Sequence, residues 1–91
     1  MGSDAEPEHV RLTVPADPEM VDVVRAAMRS LCARVGLPET TVEVVRREAG
    51  EAFVALAPRA EVVVVDASVS EHDLEVVLSA GGDQRHVHAA R

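Results

Sequence analysis

The clearest candidate for chemistry is one carboxylate, Glu51, in the run Gly50-Glu51-Ala52. It lies within Val42 to Leu56, where apolar residues fall at Val42, Val45, Ala49, Ala52, Phe53 and Leu56, the spacing of one helical face. Glu43, Arg46, Arg47 and Gly50 take the opposite face. The reading of the chain turns on whether the Glu51 carboxylate, at the edge of the core face, works in chemistry as a base or is a surface charge. The plainer reading makes Glu51 a surface charge in a ladder Glu43, Arg47, Glu51, with about 0.3–0.5 kcal/mol for each opposite pair. His86-Val87-His88 puts two imidazoles on one side of an extended segment, and imidazole is a frequent metal ligand. Two ligands fall short of a zinc site, which needs at least a third. Asp66, in mid-strand, reads as solvated or interfacial rather than as a metal ligand. His9 and His72 fall at a strand start and a turn, where ordinary solvation suffices. Cys32, the single cysteine, cannot form an internal disulfide; inside a helical pattern it reads as a small buried hydrophobe rather than a reactive thiol. No Ser-His-Asp or Cys-His arrangement emerges.

The elements that must position these groups follow from pattern. Met1 to Glu8 is polar and reads as a disordered N-terminus. His9 to Val14 alternates, with Val10, Leu12 and Val14 on one side, and predicts a half-buried strand ended by Pro15. Asp17-Pro18-Glu19 is a helix start: a capping acid, a proline for the first turn and an acid at the positive end of the dipole. Met20, Val24, Ala27, Met28, Leu31 and Val35 form its stripe, with Arg25, Arg29 and Arg34 off it and solvated, and Gly36 is a left-handed terminator. The central helix starts either in a Thr40–Glu43 capping box or at Pro38, and Pro58 stops it. Ala60 to Val69 and Leu74 to Ala80 are strands of an antiparallel hairpin turned at Ser70-Glu71-His72-Asp73. Gly81-Gly82 breaks the pattern, and Asp83 to Arg91 is expected to be a flexible tail. The expectation is one α+β domain over residues 9–82, a two-layer α/β sandwich in β-α-α-β-β order, with two helices on one face of a mostly antiparallel sheet. Val62, Val64 and Val77 point to the other face beside Arg11, Thr13, Asp66 and Glu75, so something is expected to cover it.

Composition narrows the classes. A chain of 91 residues buries roughly 60–65% of its unfolded surface, and with 1% aromatic residues Val, Leu, Ala and Met must fill the core. Oligomerisation is expected to supply part of the missing burial. The net charge is −7 and all nine basic residues are Arg, so no basic stripe is available for nucleic acid. The lone cysteine fits a reducing compartment. No signal-peptide core precedes a cleavage site and no apolar run approaches ~20 residues, so a cytoplasmic protein with no membrane contact is expected.

The run Val14-Pro15-Ala16, then Val24-Arg25, Gly36-Leu37, the helix with Gly50-Glu51-Ala52, a strand hairpin and Gly81 resembles the anti-sigma-factor serine kinases. These belong to the GHKL class of ATP-binding domains, with the histidine kinases and the gyrase B subunit. The resemblance covers about His9 to Gly82 and corresponds to the front part of that domain. It implies a Glu-Ala-x-x-Asn motif, whose Glu polarises the attacking hydroxyl or water and whose Asn holds the magnesium ion on the phosphates. Glu51 and Ala52 match; the Asn position is Ala55, whose methyl group cannot ligate a hard cation. It also implies an Asp-x-Gly-x-Gly motif that holds the adenine. Here the stretch is Ser79-Ala80-Gly81-Gly82-Asp83: Gly81 matches, Ser79 stands for the Asp and Asp83 for the second glycine. Only eight residues follow Asp83, so the family's lid and later strands are expected to be absent.

The resemblance therefore implies Glu51 as the catalytic group and Ser79 and Gly81 as nucleotide-binding positions, with ATP and magnesium as cofactors on that ground alone. Phosphoryl transfer rests on positioning and metal-assisted neutralisation of charge; the metal ligand and the adenine acid are replaced here, and the lid is expected to be absent. The expected function is a non-catalytic regulatory module in bacterial transcription or stress control, binding a sigma factor or an anti-sigma antagonist. A weak ATP-binding domain or serine kinase using Glu51 is the enzyme alternative. A small structural homodimer is the third.

Overall fold

The computed structural model describes residues 8–90. Of the expected disordered terminus, residues 1–7 lie outside the described residues, as does Arg91 at the other end. Strand β1 runs Glu8–Pro15, helix α1 Val21–Arg34, helix α2 Glu39–Leu56, and strands β2, β3 and β4 run Val62–Val69, Asp73–Ala80 and Asp83–Ala90. The order is therefore β-α-α-β-β-β. The sheet is antiparallel throughout, with strands in the order β1-β2-β3-β4 and both helices on one face. The α+β two-layer class read from the pattern holds, with one strand more than expected.

Each helix boundary has a local cause. Asp17 accepts a hydrogen bond from the Glu19 amide at 3.0 Å and caps a 3₁₀ turn, Pro18–Met20, that feeds α1. Helix α1 ends in Gly36 at φ 74°. The Leu37 amide donates to the Cys32 carbonyl at 3.1 Å and the Gly36 amide to that of Ala33 at 3.2 Å. That bonding pair is a Schellman cap, and it needs the left-handed residue that glycine supplies. The Thr40–Glu43 capping box does not form: α2 starts at Glu39 behind Pro38, with no side-chain cap. Pro58 falls in a closing 3₁₀ turn, Ala57–Arg59.

The core is a continuous apolar cluster. Val24, Met28, Leu31 and Cys32 of α1 and Val42, Val45, Ala49, Ala52, Phe53 and Leu56 of α2 close over Val63, Val65, Leu74, Val76 and Leu78 of the sheet. Phe53 and Cys32 are fully buried, and desolvation raises the Cys32 thiol above its ordinary pKa. Gly50, expected on the polar face of α2, is buried as well, because Arg25 of α1 lies across it.

The expected C-terminal tail is the main correction. Asp83–Ala90 pairs along the whole of β3, with Ala80 opposite Asp83 and Asp73 opposite Ala90. Gly81 and Gly82, at φ 57° and 90°, are the two positive-φ residues of a type I′ hairpin turn, whose twist matches that of the strands. Val87 faces inward and is buried, while Arg85, also on the inward side, reaches solvent at the sheet's rim. Charged groups on an edge strand discourage pairing with another chain, and they mask the alternation by which a strand is recognised.

Candidate functional site

Glu51 is exposed on α2 and lines an open groove of about 310 Å³ between that helix and β4, with Glu48, Arg85 and His86. The ladder Glu43, Arg47, Glu51 is not formed. Glu43 instead pairs with Arg46 of the same helix, three residues on, at 3.0 Å and with Arg29 of α1 at 3.7 Å. Ala52 is buried and Ala55 is exposed.

Ser79 lies on the other side of the molecule. Leu78 and Ala80 face the helices, so the alternation of β3 turns Ser79 to the outer face of the sheet. Glu51 and Ser79 thus do not share a pocket. Gly81 is at the β3–β4 turn, where a Cβ would stand 2.6 Å from the Arg59 carbonyl oxygen. Its place is explained by that close approach and by its positive φ.

The outer sheet face carries no second layer among the described residues. Register places Arg11, Asp66, Val77 and His86 in one row across the four strands. Thr13, Val64, Ser79 and Gln84 form the next row on one side, and His9, Ser68, Glu75 and His88 the row on the other. Eight of these twelve, all but His9, Thr13, His86 and His88, line an open depression of about 490 Å³. Val64 and Val77 sit half-buried in its centre, and Val62 is exposed at its end. Asp66 is the electrostatic hub. Arg11 donates from Nη2 at 2.7 Å and from Nε at 3.0 Å to one carboxylate oxygen, and the His9 ring meets the other. Hydrogen bonding to Arg11 first, and to His9 second, holds the Asp66 carboxyl below its ordinary pKa.

The two imidazoles of the His-Val-His run share one side of their strand, as expected, and that side is the outer face. Each faces a carboxylate on β3: His86 is 3.6 Å from Glu75 and His88 is 3.0 Å from Asp73. Among the described residues no three His, Cys, Asp or Glu side chains gather as a metal site. The sequence places Asp66 and Arg11 on this face but not their pairing, nor the contact with His9, because Arg11 and His9 are 55 and 57 residues away in the chain.

No protein-family model matches this chain, and no curated protein matches it. No helix among the described residues is long and apolar enough to cross a membrane.

Proposed function

We propose that this chain is a non-catalytic regulatory module that binds a protein partner through the outer face of its sheet. The observation that carries the reading is the half-buried pair Val64 and Val77 in the middle of an open, otherwise polar face. A central apolar anchor inside a polar rim is the anatomy of a binding interface. Four strands of eight residues give a platform of roughly 20 by 26 Å from strand spacing and rise. A platform that size contributes much of one side of an ordinary interface. Separation of Glu51 from Ser79 by the sheet, and a methyl group at Ala55 where the kinase motif has its metal ligand, favour binding over catalysis. By resemblance to the anti-sigma-factor kinases, the partner is a sigma factor or an anti-sigma antagonist in the bacterial cytoplasm; a second copy of the chain is the other occupant.

One observation favours the enzyme alternative. Arg85 has no ion-pair partner among the described residues and lines the groove that holds Glu51, where it would meet a phosphate. Calorimetric titration with ATP and magnesium separates the two readings. Silence is expected, and binding at micromolar strength would restore the enzyme. With a co-purified partner in hand, Val77→Arg should abolish the complex and Glu51→Gln should leave it intact; the reverse pattern sinks the module reading.

A further inference from the structure

We propose a second, separate ligand site on the helical side of the molecule, an arginine-lined cleft that takes a phosphate dianion. The cleft measures about 270 Å³ and is lined by Arg25 of α1 and by Glu43, Arg46 and Arg47 of α2. A chain with nine cations and a net charge of −7 has few to spare, yet three converge here. Arg47 has no ion-pair partner among the described residues. Among the described residues Arg25 pairs only with Asp22, at 3.3 Å. Glu43, the one carboxylate in the lining, is matched by Arg46 at 3.0 Å and by Arg29 at 3.7 Å, and Arg29 also meets Glu39 at 3.3 Å. Arg25, Arg29, Arg46 and Arg47 set against Asp22, Glu39 and Glu43 leave one net positive charge in an acidic molecule.

Gly50 is the second observation. Glycine inside a helix costs stability relative to alanine, and nothing in the α2 backbone requires it, since its φ is not positive. A Cβ there would stand 2.9 Å from Arg25 Nε and 3.5 Å from Arg25 Cγ and Cζ. The missing side chain is the space in which the Arg25 guanidinium lies, one turn beyond Arg46 and Arg47. Three planar guanidinium groups approaching from two helices suit a tetrahedral, doubly charged oxyanion, to which each can donate paired hydrogen bonds. The chemistry recognised is the phosphate group, whether free or carried on a phosphorylated side chain. The site is independent of the outer sheet face, which lies on the far side of the sheet.

The test is amide-shift titration by NMR at low ionic strength and pH about 7.5, where a phosphomonoester is mostly dianionic. The probes are inorganic phosphate, a short phosphoserine peptide and its unphosphorylated form. Saturable shifts confined to Arg25, Arg46, Arg47 and Gly50 are expected with a phosphate-bearing probe and not with the unphosphorylated peptide. Equal affinity for both phosphate-bearing probes assigns the site to free phosphate; tighter binding of the peptide assigns it to a phosphorylated side chain. Arg47→Gln, on an exposed residue that leaves the fold intact, should weaken binding about tenfold, the loss of one charge-assisted contact. Gly50→Ala should weaken it by displacing Arg25, while Arg11→Gln on the sheet should not change it. Absence of saturation up to about 20 mM, a range that covers even very weak affinities, overturns the proposal. So does wild-type affinity in Arg47→Gln.

Discussion

Phe53 shows what one side chain contributes in a core built from small residues. It is the only aromatic in the sequence and is fully buried among valines, leucines and alanines, none of which can reach across the space a phenyl ring would vacate. Phe53→Ala should cost roughly 3–5 kcal/mol, close to the whole stability expected of a domain this small. A loss under about 1 kcal/mol on urea titration would contradict its central place. Asp66 is the residue-scale determinant on the other face. Because Arg11 and His9 lower its pKa in the folded state, its contribution is fully present above the unfolded-state value of about 3.9. It is lost as pH falls through the lower, folded-state value. The stability gap between wild type and Asp66→Asn should therefore be constant near neutrality and close only below about pH 4. A gap that persists unchanged in strong acid would show that the carboxylate does not act through its charge.

At the scale of elements, the chain divides by how each strand is made. β2 and β3 alternate in burial, although β2 opens on the unbroken run Val62–Val65, and both are read from sequence to within two residues at their starts. β4 holds one buried apolar residue, Val87, and one half-buried one, Ala89, so its strand character comes from pairing with β3 rather than from its own pattern. Both turn glycines were legible as a break, but the hairpin needed the register of the following strand. Within the turn the two glycines are not equivalent. A side chain at Gly82 meets nothing within 4 Å, whereas one at Gly81 would strike the Arg59 carbonyl oxygen at 2.6 Å. Gly82→Ala should cost about 1–2 kcal/mol, the penalty of a left-handed conformation. Gly81→Ala should cost clearly more, because Arg59 is also tied to the strand through Asp83 at 3.0 Å. Equal losses for the two variants in denaturant would mean that the contact with Arg59 gives way freely.

For the whole molecule the question is what covers the second face of the sheet. The outer edge of the β2–β3 hairpin is covered, since β4 pairs with it. The outer face, where Val64 and Val77 are flanked by ion pairs, is the surface we propose for self-association. A two-fold contact there would bury both copies of the patch at once and offset the small core. The wild type should be dimeric in sedimentation equilibrium at about 100 μM, a concentration sufficient for a dissociation constant of ~10 μM. Val64→Arg should be monomeric, and Arg29→Ala on the helical side should stay dimeric. A monomeric wild type at that concentration rules the homodimer out and leaves a different protein as the partner.

By itself the sequence determined the two helices, the three patterned strands, the apolar face of each and the burial of Cys32. These follow from local periodicity and from chain-breaking residues, and both are properties of neighbouring positions. The tertiary structure decided everything that depends on residues far apart. It made a strand of Asp83–Ala90 by giving that segment a partner, and it buried Gly50 under Arg25. It diverted Glu43 from Arg47 to Arg29, and it turned Ser79 away from Glu51. The last point bears most on function. A short motif fixes which residue types are present, but whether two of them meet depends on which face of the sheet each one reaches, and on β3 a single residue of register separates one face from the other.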